Sequence, residues 1–424
     1  MNKIISFLLL FFSAGILSAQ NPVPVKPRIL ISTDIGGTDP DDNQSMAHLL
    51  MYSEMFEIEG LVSSPSFGPG SKNEILRMID LYEKDLPELT KHKENYPTPD
   101  FLRSITKEGR RSLHSYKGYA TATEGSDWII ECAKKENEQP LWVLIWGGLE
   151  DLAQALHDAP EIQNKIKVYW IGGPNKKWSV NSYAYIAENF PDLWIIENNA
   201  SYRGIITNGK LSGKYNKGYY DECIRDAGEL GKDYINYYDG IVKMGDTPSL
   251  LYMMDGDPND PTKESWGGSF EKLSHSPRII FDRPTTDRDT VPVYSVMEFR
   301  IKGPEIDISA DSACFTMLVD NQYWDGYYLG DGNYAVRYSP KAPATLSYSI
   351  ISEVPDFPEQ CGVFVVGEFW PGISHSTDYK LGENWFTDKT APYLFEGVWQ
   401  GYKTTSKWRE EVLQDWERRL NWLK

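Results

Sequence analysis

An α/β protein, built on a mostly parallel sheet flanked by helices and interrupted by an inserted β-sandwich, is the fold class this sequence predicts. Three observations lead there. Short apolar runs alternate with amphipathic stretches through the first 270 or so residues, and three of those runs are followed by glycine-marked or acidic loops. After about Ser274 the text changes to the period-2 alternation of strands separated by Asp-Gly and Pro-rich turns. From Lys403 a helical pattern returns.

The chain begins Met1-Asn2-Lys3, then runs apolar from Ile4 to Leu17 and reaches the small residues Ser18 and Ala19. This is the pattern of a secretory signal peptide over residues 1–19. The run is shorter than the roughly 18–20 apolar residues of a membrane span. No cysteine follows it to accept a lipid. The expectation is an exported protein of the periplasm or the medium, not a membrane protein.

Residues 20–274 read as the α/β domain. Arg28–Ser32 is a strand, followed by an acidic loop, an amphipathic stretch from Asn43 to Ser53, and a second strand over Ile58–Ser63. Leu141–Trp146 is a strand, Gly147-Gly148 its turn, and Leu149–His157 a helix. Val168–Ile171 ends at Gly172-Gly173-Pro174, and Leu193–Glu197 is a further strand. Ligands in such sheets sit beyond the carboxyl ends of the strands, so the three loops should converge on one crevice. Residues 275–402 read as the sandwich, with strands at Val293–Gly303, Ala313–Asp320, Gly332–Tyr338 and Ala344–Ile351. Residues 403–424 form a terminal helix whose Trp408, Val412, Trp416, Leu420 and Leu423 share one face, and it should pack on the first domain.

A formal charge of −18 disfavours nucleic acid polymers and anionic membranes and suits a neutral substrate or a metal cation. The four cysteines show no zinc-type spacing. Cys132 sits on an amphipathic pattern and reads as a buried thiol, whereas Cys314 and Cys361 share the β-rich region and are either a disulfide or two thiols.

The chemistry concentrates in Thr33-Asp34-Ile35-Gly36-Gly37-Thr38-Asp39-Pro40-Asp41-Asp42. Four carboxylates in nine residues repel one another unless a cation neutralises them, and hard oxygen ligands suit calcium or magnesium. The alternative is a solvated acidic turn, with Asp41 and Asp42 serving as helix N-cap residues.

This loop resembles that of the nucleoside hydrolase superfamily, whose first strand ends in Asp-x-Asp-Pro-Gly-x-Asp-Asp. It is still more similar to a bacterial branch often labelled cellulose-binding, with Thr-Asp-Ile-Gly-Gly-x-Asp-Pro-Asp-Asp-x-Gln-Ser. Trp146-Gly147-Gly148-Leu149, Gly245-Asp246-Thr247-Pro248-Ser249 and Glu264-Ser265-Trp266-Gly267-Gly268 extend the resemblance, as do Trp408-Arg409 and Arg419–Trp422. It covers roughly residues 28–274 and 403–424. The resemblance implies Ca2+ held by Asp34, Asp42, Asp246 and the main-chain carbonyl of Trp146, with Asp34 also the general base. It further implies Asp41 on a sugar hydroxyl and Asn181 as a second sugar contact.

Three departures bear on the substrate. Ser32 stands where nucleoside hydrolases carry their first Asp, the loop is three residues longer, and Trp146 replaces Thr, its indole expected to narrow the leaving-group pocket. Trp266 stacks on a sugar ring or belongs to the core. His48 and His157 read as structural, while His275 and His375, flanking the sandwich, are candidates for a leaving-group acid. Tyr323–Tyr328 and Tyr334–Pro340 resemble the sandwich modules that accompany glycoside hydrolases, so their aromatics either meet polysaccharide or pack the sandwich.

The expected function is a calcium-dependent, glycosidase-like hydrolase acting on a carbohydrate or glycoside. Nucleoside N-ribohydrolysis and non-catalytic carbohydrate binding are the alternatives, and a homo-oligomer stays open.

Overall fold

A computed structural model describes residues 25–205, 215–367 and 369–424. The signal-peptide segment 1–19 lies outside the described residues. Among the described residues, no helix is long and apolar enough to cross a membrane.

The first six strands are β1 (Arg28–Thr33), β2 (Glu57–Ser63), β3 (Thr106–Glu108), β4 (Leu141–Ile145), β5 (Ile166–Ile171) and β6 (Ile195–Asn198). They form a parallel sheet in the order β3-β2-β1-β4-β5-β6. All six residues of β1 are buried, as befits a strand covered on both faces, which explains its continuous apolar text. Along β4, Val143 and Ile145 enter one core while Trp142 and Leu144 enter the other, following the two-residue period of a strand.

From β1 the chain builds outward through β2 and β3, then returns to the other side of β1 for β4, β5 and β6. The switch point therefore lies between β1 and β4, where the loops after the two strands leave the same edge side by side. A crevice opens at such a point. The acidic loop follows β1, and Trp146 follows β4.

Two more strands complete this sheet: Trp385–Asp388 pairs parallel with β6, and Phe270–Lys272 pairs antiparallel with Trp385–Asp388. The chain thus re-enters the α/β layer at Trp385, ahead of the expected boundary at residue 402.

Between these strands lies a second eight-stranded sheet, in the order 290–291, 360–366, 344–351, 312–319, 322–330, 333–338, 296–302 and 278–281. Phe299 and Tyr348 stand four strands apart in that order, which in a flat sheet is about 19 Å at ~4.8 Å per strand. Their ring centroids are 4.8 Å apart, so the sheet folds over on itself around an aromatic core, as a sandwich does. That core is continuous with one of the two cores of the α/β layer.

Cys314 and Cys361 are free, as are Cys132 and Cys223. The strand 344–351 lies between those carrying Cys314 and Cys361. Two strand spacings, about 9.6 Å, exceed the ~7 Å Cα separation a disulfide can bridge, which excludes that pairing. Cys132 is fully buried beneath β2.

The terminal helix Arg409–Leu420 packs on helix α1 (Asp41–Met51) and its neighbours. The Trp416 ring lies 5.4 Å from His48 and 5.8 Å from Tyr219, and Arg419 pairs with Glu54 at 2.6 Å.

Candidate metal and active site

At the switch point, the loop between β1 and α1 and the start of the helix Thr247–Asp255 bring Asp41, Asp42 and Asp246 together. One carboxylate oxygen of each lies within 4.8 Å of the others. Asp34 joins them from the end of β1, within hydrogen-bonding reach of Asp42 and of Ser66. Thr33 donates its hydroxyl to Asp42 Oδ1 and accepts from the Ile35 amide at 3.1 Å, which sets the start of the loop. The approach of the β4 turn to Asp34 requires glycine at 147, where a Cβ would fall 2.8 Å from the Asp34 Cβ.

Neither helix uses these carboxylates as caps. Pro40 occupies the N-cap position of α1, and Asp246 occupies that of Thr247–Asp255 without accepting an amide hydrogen bond through its side chain. The N-cap alternative for Asp41 and Asp42 is therefore not realised. Instead, two positive helix ends face one acidic cluster.

The pocket, about 110 Å³, is lined by five carboxylates, from Asp34, Asp39, Asp41, Asp42 and Asp246, against two cationic side chains, Lys243 and Arg203. Lys243 pairs with Asp39 at the rim and lies 3.7 Å from Asp41. Enclosure by protein pushes the Asp34 carboxyl up to about 7 and Asp41 up to about 8. Burial, reinforced by the neighbouring carboxylates, pushes Asp42 and Asp246 well up. Asp246 Oδ2 is buried with no hydrogen-bond partner.

Such an arrangement is costly for bare anions and suited to a hard divalent cation, for which every donor is oxygen. The Trp146 carbonyl, on the pocket wall, accepts from Asn175 Nδ2 at 2.8 Å and keeps a second lone pair. The residues present fit a hard divalent cation: Asp41, Asp42 and Asp246 converge as carboxylate donors, Asp34 stands beside Asp42, and Trp146 lines the same pocket.

A family model described as "Cellulose-binding Sde182, nucleoside hydrolase-like domain" matches residues 28–270, more than half of the chain. The chain belongs to the Sde182 nucleoside hydrolase-like family. A second model, "Domain of unknown function (DUF5060)", matches residues 290–353 within the sandwich. Among solved structures, the chain is similar to a nucleoside hydrolase-related protein from Saccharophagus degradans that is associated with carbohydrate metabolism. That match has 18% identity and a TM-score of 0.50, covering 81% of this chain and 100% of that one. An inosine-uridine preferring nucleoside hydrolase from Bacillus anthracis matches at 15% identity and a TM-score of 0.40, over 60% of this chain and 87% of that one. No curated protein sequence matches.

Within this Sde182-like domain, Asn181 and Trp266 do not join the acidic pocket. Asn181 opens the helix Val180–Asn189, donates to the His114 carbonyl at 3.1 Å and lines a different cleft. Trp266 is half-buried against the core that contains Tyr252, its amide bound to Asp255. Trp146 itself lines the acidic pocket, and its indole is buried and donates to Ser249 Oγ at 2.8 Å. His275 and His375 are also absent from the pocket lining; His275 lies beside Asp378.

Four residues of the Sde182-like pocket escaped the sequence reading. Asn175 follows Gly172-Gly173-Pro174 directly, ties the Trp146 and Ile171 carbonyls together at 2.8 and 3.0 Å, and accepts from Ser66 at 2.6 Å. Its place just after a glycine-marked strand end was the available signal. Tyr202 and Arg203 come from the turn after β6, which Asp388 holds by accepting the amides of Asn199, Ala200 and Ser201 at 2.9, 2.7 and 3.2 Å. Lys243 approaches from a loop with no motif of its own.

Proposed function

We propose that the chain is an exported, calcium-dependent glycosidase-like hydrolase that cleaves a glycosidic bond of a carbohydrate or glycoside with water. The observation that carries this reading is the convergence of Asp41, Asp42 and Asp246, one carboxylate oxygen of each within 4.8 Å of the others, with Asp34 in hydrogen-bonding reach of Asp42. Export, to the periplasm or the medium, rests on the leader-like residues 1–19.

Asp34, Asp42, Asp246 and the Trp146 carbonyl would hold the ion. A calcium bound there would acidify a water ligand and fix sugar hydroxyls. Asp34, at the pocket wall beside Ser66, accepts the proton of the attacking water. Asp41, steadied by Lys243, accepts a hydrogen bond from a sugar hydroxyl. Asn175 orients the Trp146 carbonyl, and the buried walls keep bulk water from the charges. Chemistry by one displacement inverts the anomeric centre and needs no covalent nucleophile.

The test is sugar release from polysaccharides, oligosaccharides and nucleosides, with calcium and with chelator. Turnover that chelator abolishes and calcium restores, lost in Asp34→Asn, is expected. Release of ribose from nucleosides alone would reassign the substrate, and unchanged turnover in Asp34→Asn would remove the catalytic assignment.

A further inference from the structure

A second cleft, of about 530 Å³, lies between the α/β layer and the sandwich. That is within the range of roughly 300–1,000 Å³ usual for ligand sites. Phe67, Trp178 and Asn181 line it from the first domain, and Gln322, Tyr323 and Trp324 from the sandwich. Trp178 stacks on Trp324 with centroids 5.0 Å apart and meets its other neighbour, Phe67, at 4.7 Å in a tilted contact. The outermost rings stay in solvent, Phe67 55% and Tyr323 73% exposed. The Trp324 Nε1 proton, in contrast, is buried without an acceptor.

The cleft adjoins the acidic pocket. Asn175 of that pocket and Trp178 of this cleft sit three residues apart on the helix Gly173–Trp178, about 4.5 Å of rise at ~1.5 Å per residue. Ser66, hydrogen-bonded to Asn175, is followed directly by Phe67. From the same helix, Lys177 reaches across to Asp320 at 2.8 Å and Gln322 at 2.6 Å. It thereby anchors the tight hairpin turn Asp320-Asn321, whose φ values of 54° and 56° are those of a two-residue primed turn. The sandwich is thus clamped to the helix that also carries Asn175 of the pocket.

We propose that this inter-domain cleft binds the continuing chain of a neutral oligosaccharide whose reacting sugar occupies the acidic pocket. The inference rests on the glycosidase reading above and names its substrate class as a chain, not a single glycoside. A sugar ring presents an apolar C–H face to an aromatic ring and a rim of hydroxyls to amides, and Phe67 and Tyr323 beside Asn181 and Gln322 offer both. Arg337, at the wall, shares Glu298 with Arg278 and Arg300, and the Asp325 carboxylate lines the same cleft, so the lining carries one charge of each sign and favours neither an anion nor a cation.

The test uses the full chain with calcium and titrates β-1,4-linked glucose, xylose and mannose oligomers from disaccharide to hexasaccharide, by calorimetry, on wild type, Phe67→Ala and Tyr323→Ala. Both side chains are largely exposed, so the variants should fold. Affinity that rises with chain length, and falls about tenfold in each variant for the longer oligomers while calcium affinity is unchanged, is expected. Affinity independent of length, or length dependence intact in both variants, would overturn the cleft proposal even if Asp34→Asn abolishes sugar release. Tighter binding of purine nucleosides than of any oligomer, lost in the same variants, would also overturn it, in favour of a nucleobase site. Length-dependent binding without any sugar release would retain the cleft and remove the glycosidase reading instead.

Discussion

The Trp146 indole and Ser249 connect two sides of the acidic pocket: Trp146 Nε1 donates to Ser249 Oγ at 2.8 Å, and Ser249 Oγ donates to the Asp246 carbonyl at 2.8 Å. Trp146, on the pocket lining, is thereby tied to the turn that presents Asp246. Ser249→Ala breaks both links and leaves a buried indole N–H without an acceptor, at about 1–3 kcal/mol. Outer partners of this kind tune metal affinity by roughly 10–100-fold. Calcium calorimetry on Ser249→Ala should show weakening in that range with the fold retained by circular dichroism. Wild-type affinity in the variant would show that the bridge does not position Asp246.

The acidic cluster makes the metal-free protein less stable than its parts would allow. Asp246 is buried near Asp41 and Asp34, and each raises the cost of its charge. Asp246→Asn removes that repulsion and also removes a carboxylate from the proposed cation site. In chelator the variant should melt above wild type. Wild type should gain about 2.7 kcal/mol of stability when calcium reaches about 100 times its Kd, whereas the variant gains little. Thermal denaturation with and without calcium reads both effects. A variant that melts below wild type in chelator, or that still responds to calcium, would contradict this account.

His48, under the terminal helix, gives the fold a dependence on pH. Burial, with Arg419 adding to it, lowers its pKa to about 3, and its ring is enclosed by Tyr52 and Trp416. An unfolded histidine takes up its proton near pH 6.5, while the folded one stays neutral until about pH 3. The unfolded state therefore binds more protons in that window, so the contribution is present above about pH 6.5 and is lost as pH falls. At about pH 5 the loss is about 2 kcal/mol, from ~1.36 kcal/mol per unit. His48→Gln does not titrate. Chemical denaturation at about pH 7 and about pH 5 should show wild type losing about 2 kcal/mol more than the variant, and equal losses would contradict the assignment.

How much of this could be read beforehand depends on how local the signal is. The β1 loop and the Gly147 turn were legible because their chemistry is packed into consecutive residues after buried strands. Asp246 was reachable only through resemblance, since one acid before a helix is otherwise an ordinary cap. Asn175 and Asn181 both follow the same strand end, but they stand on different helices, Gly173–Trp178 and Val180–Asn189, and of the two only Asn175 lines the acidic pocket. The four residues Trp385–Asp388 fall within the sandwich on sequence because so short a run carries no period. Their place beside β6 depends on a partner far away in the chain. Trp324 belongs to the aromatic run that either meets polysaccharide or packs the sandwich, but its stacking on Trp178 is an inter-domain relationship that no local pattern encodes.

That inter-domain helix is held by a fully buried ion pair, Lys176 with Glu197 at 2.8 Å. Lys176 lies between the residues that serve the two clefts, Asn175 and Trp178. Its ammonium also sits 3.7 Å from the Tyr183 ring centroid and 3.9 Å from that of Trp370, and burial lowers its pKa to about 8 against the pull of Glu197. Glu197 further accepts from Tyr183 at 2.9 Å and Asn199 at 2.9 Å. Removing the lysine alone strands a carboxylate in the core, so Lys176→Met should cost about 3–5 kcal/mol. The double variant Lys176→Met with Glu197→Gln removes both charges and keeps an acceptor for Tyr183. It should recover most of that loss, because a buried pair contributes little net stability beyond neutral packing. Urea denaturation of the four proteins in the cycle gives the coupling directly. If the losses simply add, the pair is not the element that fixes the helix.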